Sequence, residues 1–227
     1  METGFVWKNI HSSEKGFKII SLPPITTYEK RVEKIVVPGR NGYVTNTDNS
    51  YEGEVKSVEF DYFGDNFRDI KTWLTGDGDV IFSNEPDRFY KANIINKINL
   101  QQVLQKFHSG IVQFDCQPFG YSLTEKKVTV TTTNYKLIYN GTMEIKPVIK
   151  VYGGGDITLT VNNSNVILKG IDTYITLNGE LEDAYKDTML QNSKMQGEFP
   201  ILKPGENIID YIGNVSKIEI IYREAYL

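Results

Sequence analysis

The middle of this 227-residue chain carries the stretch Phe114-Asp115-Cys116-Gln117-Pro118-Phe119-Gly120-Tyr121-Ser122. Up to Cys116 the residues alternate between apolar and polar, as they do in a β-strand with one buried face. Pro118 then removes a backbone donor and Gly120 relaxes the chain, which argues against a central strand that runs through this segment. We therefore predict a domain boundary here, with one domain over residues 1–122 and a second over residues 123–227.

The composition is typical of a folded protein rich in strands. Hydrophobic residues make up 40% of the chain and charged residues 24%, and 14 Tyr with 11 Phe favour β-structure. The net charge is −4, and the acidic excess divides evenly between the two halves. Neither half has the basic surplus that phosphate contacts require, so we expect no direct nucleic-acid binding.

The single cysteine and the N-terminus indicate where such a chain is made. One cysteine excludes an internal disulfide framework and fits a reducing compartment. The first residues lack the charged and apolar regions of an export signal, and no apolar run approaches the length of a membrane span. We expect a soluble protein, assembled in a cytoplasm, without membrane insertion.

Residues 1–122 are predicted to form β-strands and one helix. The segment Val55–Tyr62 alternates cleanly, as a half-buried antiparallel strand does. The turn-rich sequence Asn84-Glu85-Pro86-Asp87 separates two apolar segments and predicts a hairpin. The other predicted strands are Phe17–Ile20, Arg31–Val37, Asp79–Ser83, Phe89–Ile95, Ile98–Leu104 and Gly110–Cys116.

The one predicted helix follows the strand Val55–Tyr62. Apolar residues recur at helical spacing from Phe67 to Leu74, and Asn66 or Asp65 can cap the N-terminus. Gly76 stands where a left-handed residue commonly ends a helix. The spacing predicts about three turns at most, enough to cover a sheet with one apolar face.

Residues 123–227 are predicted to form a β-sandwich, because many short strands alternate with Asn-Gly, Gly-Gly and Asn-Asn turns. The run Gly153-Gly154-Gly155-Asp156 is predicted to be such a turn, since a phosphate loop needs a helix directly after the glycines. Glu180–Leu190 holds no consistent apolar face and is predicted to be a loop. The predicted strands are Lys127–Thr132, Lys136–Tyr139, Val148–Tyr152, Asp156–Val161, Val166–Leu168, Tyr174–Leu177 and Lys217–Tyr222.

No group of residues predicts a catalytic, metal or cofactor site. His11 and His108 lack a second ligand at metal-binding spacing, and Cys116 lies on an apolar strand face with no histidine near it in sequence. The acidic residues between Glu180 and Asp183 do not match the spacing of an EF-hand calcium loop. We therefore predict a protein that is not an enzyme and binds no cofactor.

Two other functions stay open. Sugar sites stack an aromatic ring against the pyranose face, and the second half contains many tyrosines, although both tryptophans, Trp7 and Trp73, lie in the first half. Tyrosines at strand edges and corners are the simpler explanation. A glycan-cleaving or peptidase enzyme would need a carboxylate pair, or a nucleophile and a base, brought together by the fold.

Several segments follow one another in an order that spans nearly the whole chain. They are Phe5 with Gly16-Phe17, Pro38-Gly39-Arg40-Asn41-Gly42, Trp73-Leu74, Val80-Ile81-Phe82, Pro86-Asp87, Tyr90-Lys91-Ala92, Phe114–Phe119 and Gly197–Asn207. In this joint order the chain resembles the distal tail protein (Dit) family of siphovirus-like phage tails, which also includes prophage tail components.

The resemblance implies a mainly β fold. Its N-terminal domain would be a β-rich barrel or sandwich with one α-helix and a protruding hairpin, and its C-terminal domain a galectin-like β-sandwich. It also implies a structural virion protein, a baseplate hub component whose homo-hexameric ring connects the tail tube to the tail tip. A ring needs contacts between two different patches of one subunit. The turn Arg40-Asn41-Gly42 is our candidate for an interface or channel loop.

The resemblance further implies partners and a location. The partners would be the tail tube protein, a tail tip or tail-associated protein, and receptor-binding proteins. The protein would lie at the distal end of the virion tail after assembly in the cytoplasm of the bacterial host. The leading alternative is a carbohydrate-binding module for host cell-wall glycans.

Overall fold

The computed structural model describes residues 2–48, 50–64, 66–95, 101–104 and 107–227. The chain divides into two compact units, Met1–Gly120 with Leu227 (unit 1) and Tyr121–Tyr226 (unit 2). Each unit has its own hydrophobic core. Both consist mainly of β-strands, and the described residues contain a single α-helix, so the mainly β fold class is confirmed.

The elements of unit 1 follow the predicted strand-rich pattern. They are strands β1 (Phe5–Trp7), β2 (Ile10–His11), β3 (Phe17–Ser21), β4 (Glu33–Ile35), β5 (Val44–Asn46), β6 (Glu54–Tyr62), β7 (Asp77–Phe82), β8 (Arg88–Ile94), β9 (Gln101–Leu104) and β10 (Phe107–Ser122), with helix α1 (Phe67–Trp73) and the 3-10 helix Ser12–Lys15. The main sheet has the order β2-β1-β7-β8-β10-β6-β3, and β4 pairs with β5 in a separate two-stranded sheet. Residues 98–100 of the predicted strand Ile98–Leu104 lie outside the described residues.

Alternation in the sequence produces the buried face of this sheet. In β6 every second side chain points into the core, so Val58, Phe60 and Tyr62 are buried while Glu59 is exposed. The predicted hairpin around Asn84–Asp87 is also confirmed, because β7 and β8 pair antiparallel on either side of it. The period-two pattern of Val55–Tyr62 therefore identified the core-facing residues of β6.

Helix α1 begins where the sequence predicts. The Asn66 side chain accepts a hydrogen bond from the backbone N–H of Asp69 at 3.2 Å, which confirms it as the N-terminal cap; the alternative cap, Asp65, lies outside the described residues. The helix has seven residues and ends with Leu74 as its C-cap, so Gly76, with φ of 72°, stands two residues further on. No helix among the described residues is long and apolar enough to span a membrane.

The two tryptophans fix this helix to the sheet. Trp7 Nε1 donates to the Trp73 carbonyl at 2.9 Å, and Trp73 Nε1 donates to the Trp7 carbonyl at 3.1 Å. Phe5 stacks on the Trp73 ring with centroids 5.6 Å apart. The buried indoles thus satisfy their polar atoms on each other's backbone while their rings fill the core.

The prediction that no strand runs through Pro118 was wrong. Strand β10 continues to Ser122, across both Pro118 and Gly120. On the β6 side the ladder ends at Cys116 and Glu54, so Pro118 lies beyond the end of that ladder. A proline at this position interrupts no hydrogen bond to β6.

The elements of unit 2 are again mostly strands. They are β11 (Lys126–Val130), β12 (Tyr135–Tyr139), β13 (Val148–Val161), β14 (Ser164–Ile171), β15 (Tyr174–Asn178), β16 (Asp183–Lys186), β17 (Met189–Leu190), β18 (Met195–Gln196), β19 (Gly205–Tyr222) and β20 (Ala225–Tyr226), with a 3-10 helix at Asn192–Lys194. The main sheet order is β11-β19-β13-β15-β16-β17; β12 joins at β19, β14 at β13, and β18 at β14.

One long strand, β13, replaces two of the predicted short ones, Val148–Tyr152 and Asp156–Val161. The run Gly153-Gly154-Gly155, predicted as a turn, lies inside β13, where the register against β19 shifts and Gly155 has φ of 75°. The glycines form an irregular stretch that lets one strand serve two sets of neighbours: its first part pairs with β15 and its last part with β14.

The predicted loop Glu180–Leu190 also contains strands, β16 and β17, which was not expected. They form a small hairpin at the edge of the sheet, and only Ala184 among their residues is fully buried. With so little buried surface the segment lacks a regular apolar pattern, so periodicity gave no strand signal there.

Candidate functional site

The hairpin formed by β4 and β5 is the most exposed part of unit 1, and we call residues 29–48 the arm. Every residue of the arm is exposed, including apolar side chains such as Val36 (74%) and Tyr43 (53%). Among the described residues, β4 and β5 pair only with each other. A lone two-stranded hairpin gains little stability by itself, and exposed apolar surface of this kind marks a contact site for another molecule.

The candidate residues Arg40, Asn41 and Gly42 lie at the tip of the arm. The backbone N–H of Arg40 donates to the Val37 carbonyl at 3.1 Å and closes the turn. Gly39 and Gly42, on either side, have φ of 81° and 86°, which only glycine adopts without strain. A Cβ added at either glycine would meet nothing within 4 Å. The tip is therefore a defined turn with open space around it.

The base of the arm is held by polar contacts. Arg31 Nε donates to Glu52 Oε1 at 2.8 Å, and its backbone N–H donates to the Ser50 carbonyl at 2.9 Å. The hydrogen bond from Arg31 lowers the pKa of the Glu52 carboxyl. Thr47 Oγ1 donates to the Arg31 carbonyl at 3.0 Å. These bonds tie the two strands together close to the main sheet, so the arm leaves the sheet as a joined pair.

A groove of about 890 Å³ opens beside the base of the arm. Its rim includes Arg31, Tyr51 and Glu52 from the base, and its floor includes residues from three neighbouring strands of the main sheet. The floor residues with charged side chains are Asp77 and Asp79 on β7, Lys91 on β8 and Asp115 on β10.

The carboxylates on the floor of the groove are available for a partner. Asp77, Asp79 and Asp115 are exposed, and within the described ranges none of these side chains has an ion pair. By contrast, the rim residues Arg31 and Glu52 neutralise each other. The floor is therefore acidic, with three carboxylates and one ammonium group.

Unit 2 carries a different surface, which we call the tyrosine–lysine surface. The rings of Tyr152 on β13 and Tyr174 on β15 lie 5.7 Å apart, on the face of the sheet that points away from the core. Lys150 Nζ lies 3.9 Å from the centroid of the Tyr174 ring, and Lys217 Nζ lies 4.3 Å from that of Tyr152. Cations at these distances are attracted to the ring faces.

Glu219 connects the charges of this surface. It is only 8% exposed and accepts hydrogen bonds from Lys217 Nζ at 2.8 Å and from the Tyr152 hydroxyl at 3.1 Å, while Lys127 Nζ lies 3.1 Å from its carboxylate. These contacts, first the hydrogen bond from Lys217 and then that from Lys127, lower the pKa of Glu219 to about 2. The carboxylate stays ionised at any physiological pH and orders the surface around it.

The residues weighed for chemistry do not come together. His11 caps the 3-10 helix Ser12–Lys15, where its Nδ1 accepts from the Ser13 N–H. Cys116 is buried, and burial raises the pKa of its thiol to about 12, so it is no nucleophile at neutral pH. Glu182 pairs with Lys146. In the part of the chain that the structure describes, no three His, Cys, Asp or Glu side chains could share a metal ion.

The sequence did not predict two surfaces, the groove and the tyrosine–lysine surface. The groove collects Asp77, Asp79 and Asp115 from segments far apart in sequence, and only the pairing of β7, β8 and β10 makes them neighbours. The tyrosine–lysine surface needs the register of β13, β15 and β19. Alternation indicates that these residues point outward, but it does not indicate which strands lie side by side.

The class that the fold defines is a mainly β protein with two compact units and an exposed hairpin in the first. No family model and no curated protein matches the sequence. The chain does match the crystal structure of the Dit protein of phage SPP1, with a TM-score of 0.79 over 97% of this chain and 98% of that chain, at 18% identity. The chain therefore has the fold of the SPP1 Dit protein, as the resemblance predicted.

That SPP1 protein is described as a paradigm of the hub adsorption apparatus in phages that infect Gram-positive bacteria. The phage p2 baseplate in its activated conformation with Sr aligns more weakly, with a TM-score of 0.49 and 13% identity over 95% of this chain and 92% of that chain.

Proposed function

We propose that this chain is a structural protein of the distal end of a phage or phage-like tail, a baseplate hub component without enzymatic activity. The supporting observation is the fold shared with the SPP1 Dit protein over 97% of this chain and 98% of that one. Because the match covers both units, the likeness in fold extends over nearly the whole chain. Fold alone does not define function; the exposed arm and the acidic groove add surfaces suited to assembly.

The proposed assembly is a ring of six copies that connects the tail tube to the tail tip. In this proposal residues 1–122 form the ring and residues 123–227 form a galectin-like domain outside it. A closed ring needs two different patches on each subunit, one to give and one to receive. The arm, with Arg40, Asn41 and Gly42 at its tip, is the giving patch. Its exposed apolar residues supply the kind of surface that obligate contacts bury.

The proposed partners are the tail tube protein, the tip or tail-associated protein and the receptor-binding proteins, and the proposed location is the virion tail after assembly in the host cytoplasm. The test combines light scattering with electron microscopy of the full chain, alone and with its tube and tip partners. Six-membered rings are expected. A chain that stays monomeric with its partners present, and that shows no ring on the grids, would overturn the proposal.

A matched variant makes this test specific. Replacing residues 32–45 by a short Gly-Ser turn removes the arm and leaves the core of unit 1 intact, because no arm residue is buried. This variant is expected to fold, as reported by the fluorescence of the buried Trp7 and Trp73, and to lose the ring. Rings of normal size without the arm would show that another surface holds the subunits together.

Carbohydrate binding by unit 2 is the second candidate, and the tyrosine–lysine surface favours it. Its adjacent rings and polar side chains are of the types that hold sugars. The test is a pull-down with host cell walls, using the full chain and the double variant Tyr152→Ala, Tyr174→Ala. Binding that disappears in this variant, and persists in the control Tyr43→Ala, would support the candidate. Equal binding by all three proteins would exclude this surface.

A further inference from the structure

We propose that the acidic groove of one copy receives the tip of the arm of a second copy, with Arg40 entering among Asp77, Asp79 and Asp115. This inference rests on the proposed ring and identifies its receiving patch, which neither the sequence nor the fold comparison assigns. The occupant is a second copy of this chain.

The groove is acidic overall. Its lining has two cations, Arg31 and Lys91, against four carboxylates. Arg31 and Glu52 are paired across 2.8 Å, which leaves the floor carboxylates as the source of the negative potential. Three carboxylates that converge on a concave surface attract a cation more strongly than the same groups spread over a flat one.

The outer part of the arm carries only positive charges. From Lys34 to Thr47 the sequence contains no Asp or Glu, and its only charged residues are Lys34 and Arg40. Lys34 Nζ lies 5.1 Å from the centroid of the Tyr43 ring, on the shaft of the hairpin. Arg40 is the only charge on the turn, and it is exposed. The outer part of the arm is thus cationic where the groove is anionic, and a guanidinium is suited to bridge two carboxylates.

The volume of the groove and the length of the arm are compatible with a contact between two copies. The groove, at about 890 Å³, is in the range of pockets that enclose small ligands (~300–1,000 Å³). At ~3.3 Å per residue, the nine steps from Arg31 to Arg40 span roughly 30 Å. A folded unit with as many residues as unit 1 has a radius of gyration of about 13 Å and a width of roughly 30 to 35 Å. The arm therefore reaches across about one subunit.

The tip of the arm does not occupy the groove of its own copy. Arg31 lies at the base of the arm, and it lines the groove together with Tyr51 and Glu52, which follow the arm in sequence. An extended hairpin carries its tip away from its own base, and nothing lies within 4 Å of a Cβ added at Gly39 or Gly42. Each copy thus offers a groove at one end of the arm and a tip at the other. This is the head-to-tail arrangement that closes into a ring.

Cysteine trapping between two differently tagged full-length proteins tests this contact. One carries Arg40→Cys and the other Asp79→Cys, both in a Cys116→Ala background because Cys116 also lines the groove. After mixing and mild oxidation we expect the mixed disulfide to exceed either homodimer severalfold. The control Glu59→Cys places a cysteine at an exposed acidic position of β6 outside the groove, and it is expected to give no preferred product. Equal trapping at positions 79 and 59 would overturn the inference.

Charge reversal provides a second, non-covalent measurement. Arg40→Glu is expected to raise the dissociation constant between copies about tenfold or more, and Asp79→Lys to do the same. Combining the two restores an attractive pair, so the double variant should recover most of the lost affinity. Lys18→Glu and Glu59→Lys, at exposed positions of unit 1, are the matched controls. No effect of Arg40→Glu, or no recovery in the double variant, would overturn the inference.

The outcomes separate this inference from the proposed function. Rings that form normally in Arg40→Glu would leave the hub function standing and exclude the groove as the receiver of the tip. Absence of any ring in the unsubstituted protein with its tail partners would exclude both.

Discussion

Unit 1 contains two hairpins that differ in nearly every physical respect. In the hairpin of β7 and β8, the side chains of Val80, Phe82 and Tyr90 have no exposed surface. In the arm every side chain is exposed. Both hairpins have antiparallel pairing and a glycine- or proline-containing turn, so backbone hydrogen bonding does not distinguish them. The difference lies in where their apolar surface goes.

The apolar pattern alone does not explain this difference, because β7 contains the run Val80-Ile81-Phe82 and the arm contains the run Ile35-Val36-Val37. In β7, Val80 and Phe82 enter the core, and such burial contributes roughly 25 cal/mol for each Å² of apolar surface removed from water. The three apolar residues of the arm are all exposed, and among the described residues its strands pair only with each other. The apolar surface of the arm can therefore contribute stability only when another molecule covers it, and the comparison between the hairpins becomes testable.

The largest contrast is expected from truncating an apolar side chain in each hairpin. Phe82→Ala should lower the free energy of unfolding of unit 1 by about 3–5 kcal/mol, because it leaves a cavity in the core. Val36→Ala on the arm should change it by less than about 0.5 kcal/mol. Guanidinium denaturation followed by tryptophan fluorescence measures unit 1 specifically, since both tryptophans lie there. A loss of several kcal/mol in Val36→Ala would mean that the arm packs within its own chain.

A smaller contrast is expected from removing one hydroxyl. The Tyr90 hydroxyl donates to the Glu85 carboxylate and lies 2.9 Å from both of its oxygens. Burial first, then the contact with Tyr28 and then Glu85, raise the pKa of Tyr90. Tyr90→Phe should cost about 1.5–3 kcal/mol, as expected for a hydrogen bond to a charged group. Tyr43→Phe on the arm removes a hydroxyl in solvent and should cost nothing measurable. The same denaturation experiment checks both, and equal effects would contradict the assignment of Tyr90 as the buried member.

The sequence predicted the β7–β8 hairpin well because its signals are local. The turn-rich sequence Asn84–Asp87 between two apolar segments identified the hairpin, and helical spacing with a cap at Asn66 identified α1. The wrong predictions concern segments whose structure depends on the adjacent strands. Pro118 lies within a strand because the ladder to β6 has already ended, and Gly153–Gly155 lie within β13 because it changes neighbours there. A single-residue rule contains no information about what lies alongside the strand.

The candidate site shows the same limit. The turn Arg40-Asn41-Gly42 was found because its residues are adjacent in sequence, and its role at an interface stays a prediction. The groove was not found, since Asp79 and Asp115 are 36 positions apart and become neighbours only through strand order. The resemblance implied a protruding hairpin, but the residue pattern did not indicate that residues 29–48 form it. The pattern Ile35-Val36-Val37 predicts a strand but does not indicate whether the strand has a core to join.

The smallest contrast concerns pH at the base of the arm. The pKa of Glu52 is lowered by the hydrogen bond from Arg31, so its contribution is present above the ordinary glutamate pKa of 4.5 and is lost as pH falls below it. Hydrogen exchange of the Arg31 amide, bonded to the Ser50 carbonyl, reports on this base. After correction for intrinsic exchange, its protection should fall a few-fold on acidification in the unsubstituted protein. Glu52→Gln should already show reduced protection at neutral pH.

Asp48 titrates beside this pair and has to be separated from it. Hydrogen bonds from Ser50 lower the pKa of Asp48, so part of the pH dependence should survive in Glu52→Gln and disappear in Glu52→Gln, Asp48→Asn. Asp87, in the turn of the β7–β8 hairpin, also has a lowered pKa through its hydrogen bond from Arg88. Asp87→Asn should leave the exchange of the arm unchanged, because the core holds that hairpin in place. If Asp87→Asn loosened the arm as much as Glu52→Gln does, the two hairpins would be one cooperative element, and the arm would not be an independent structure waiting for a second chain.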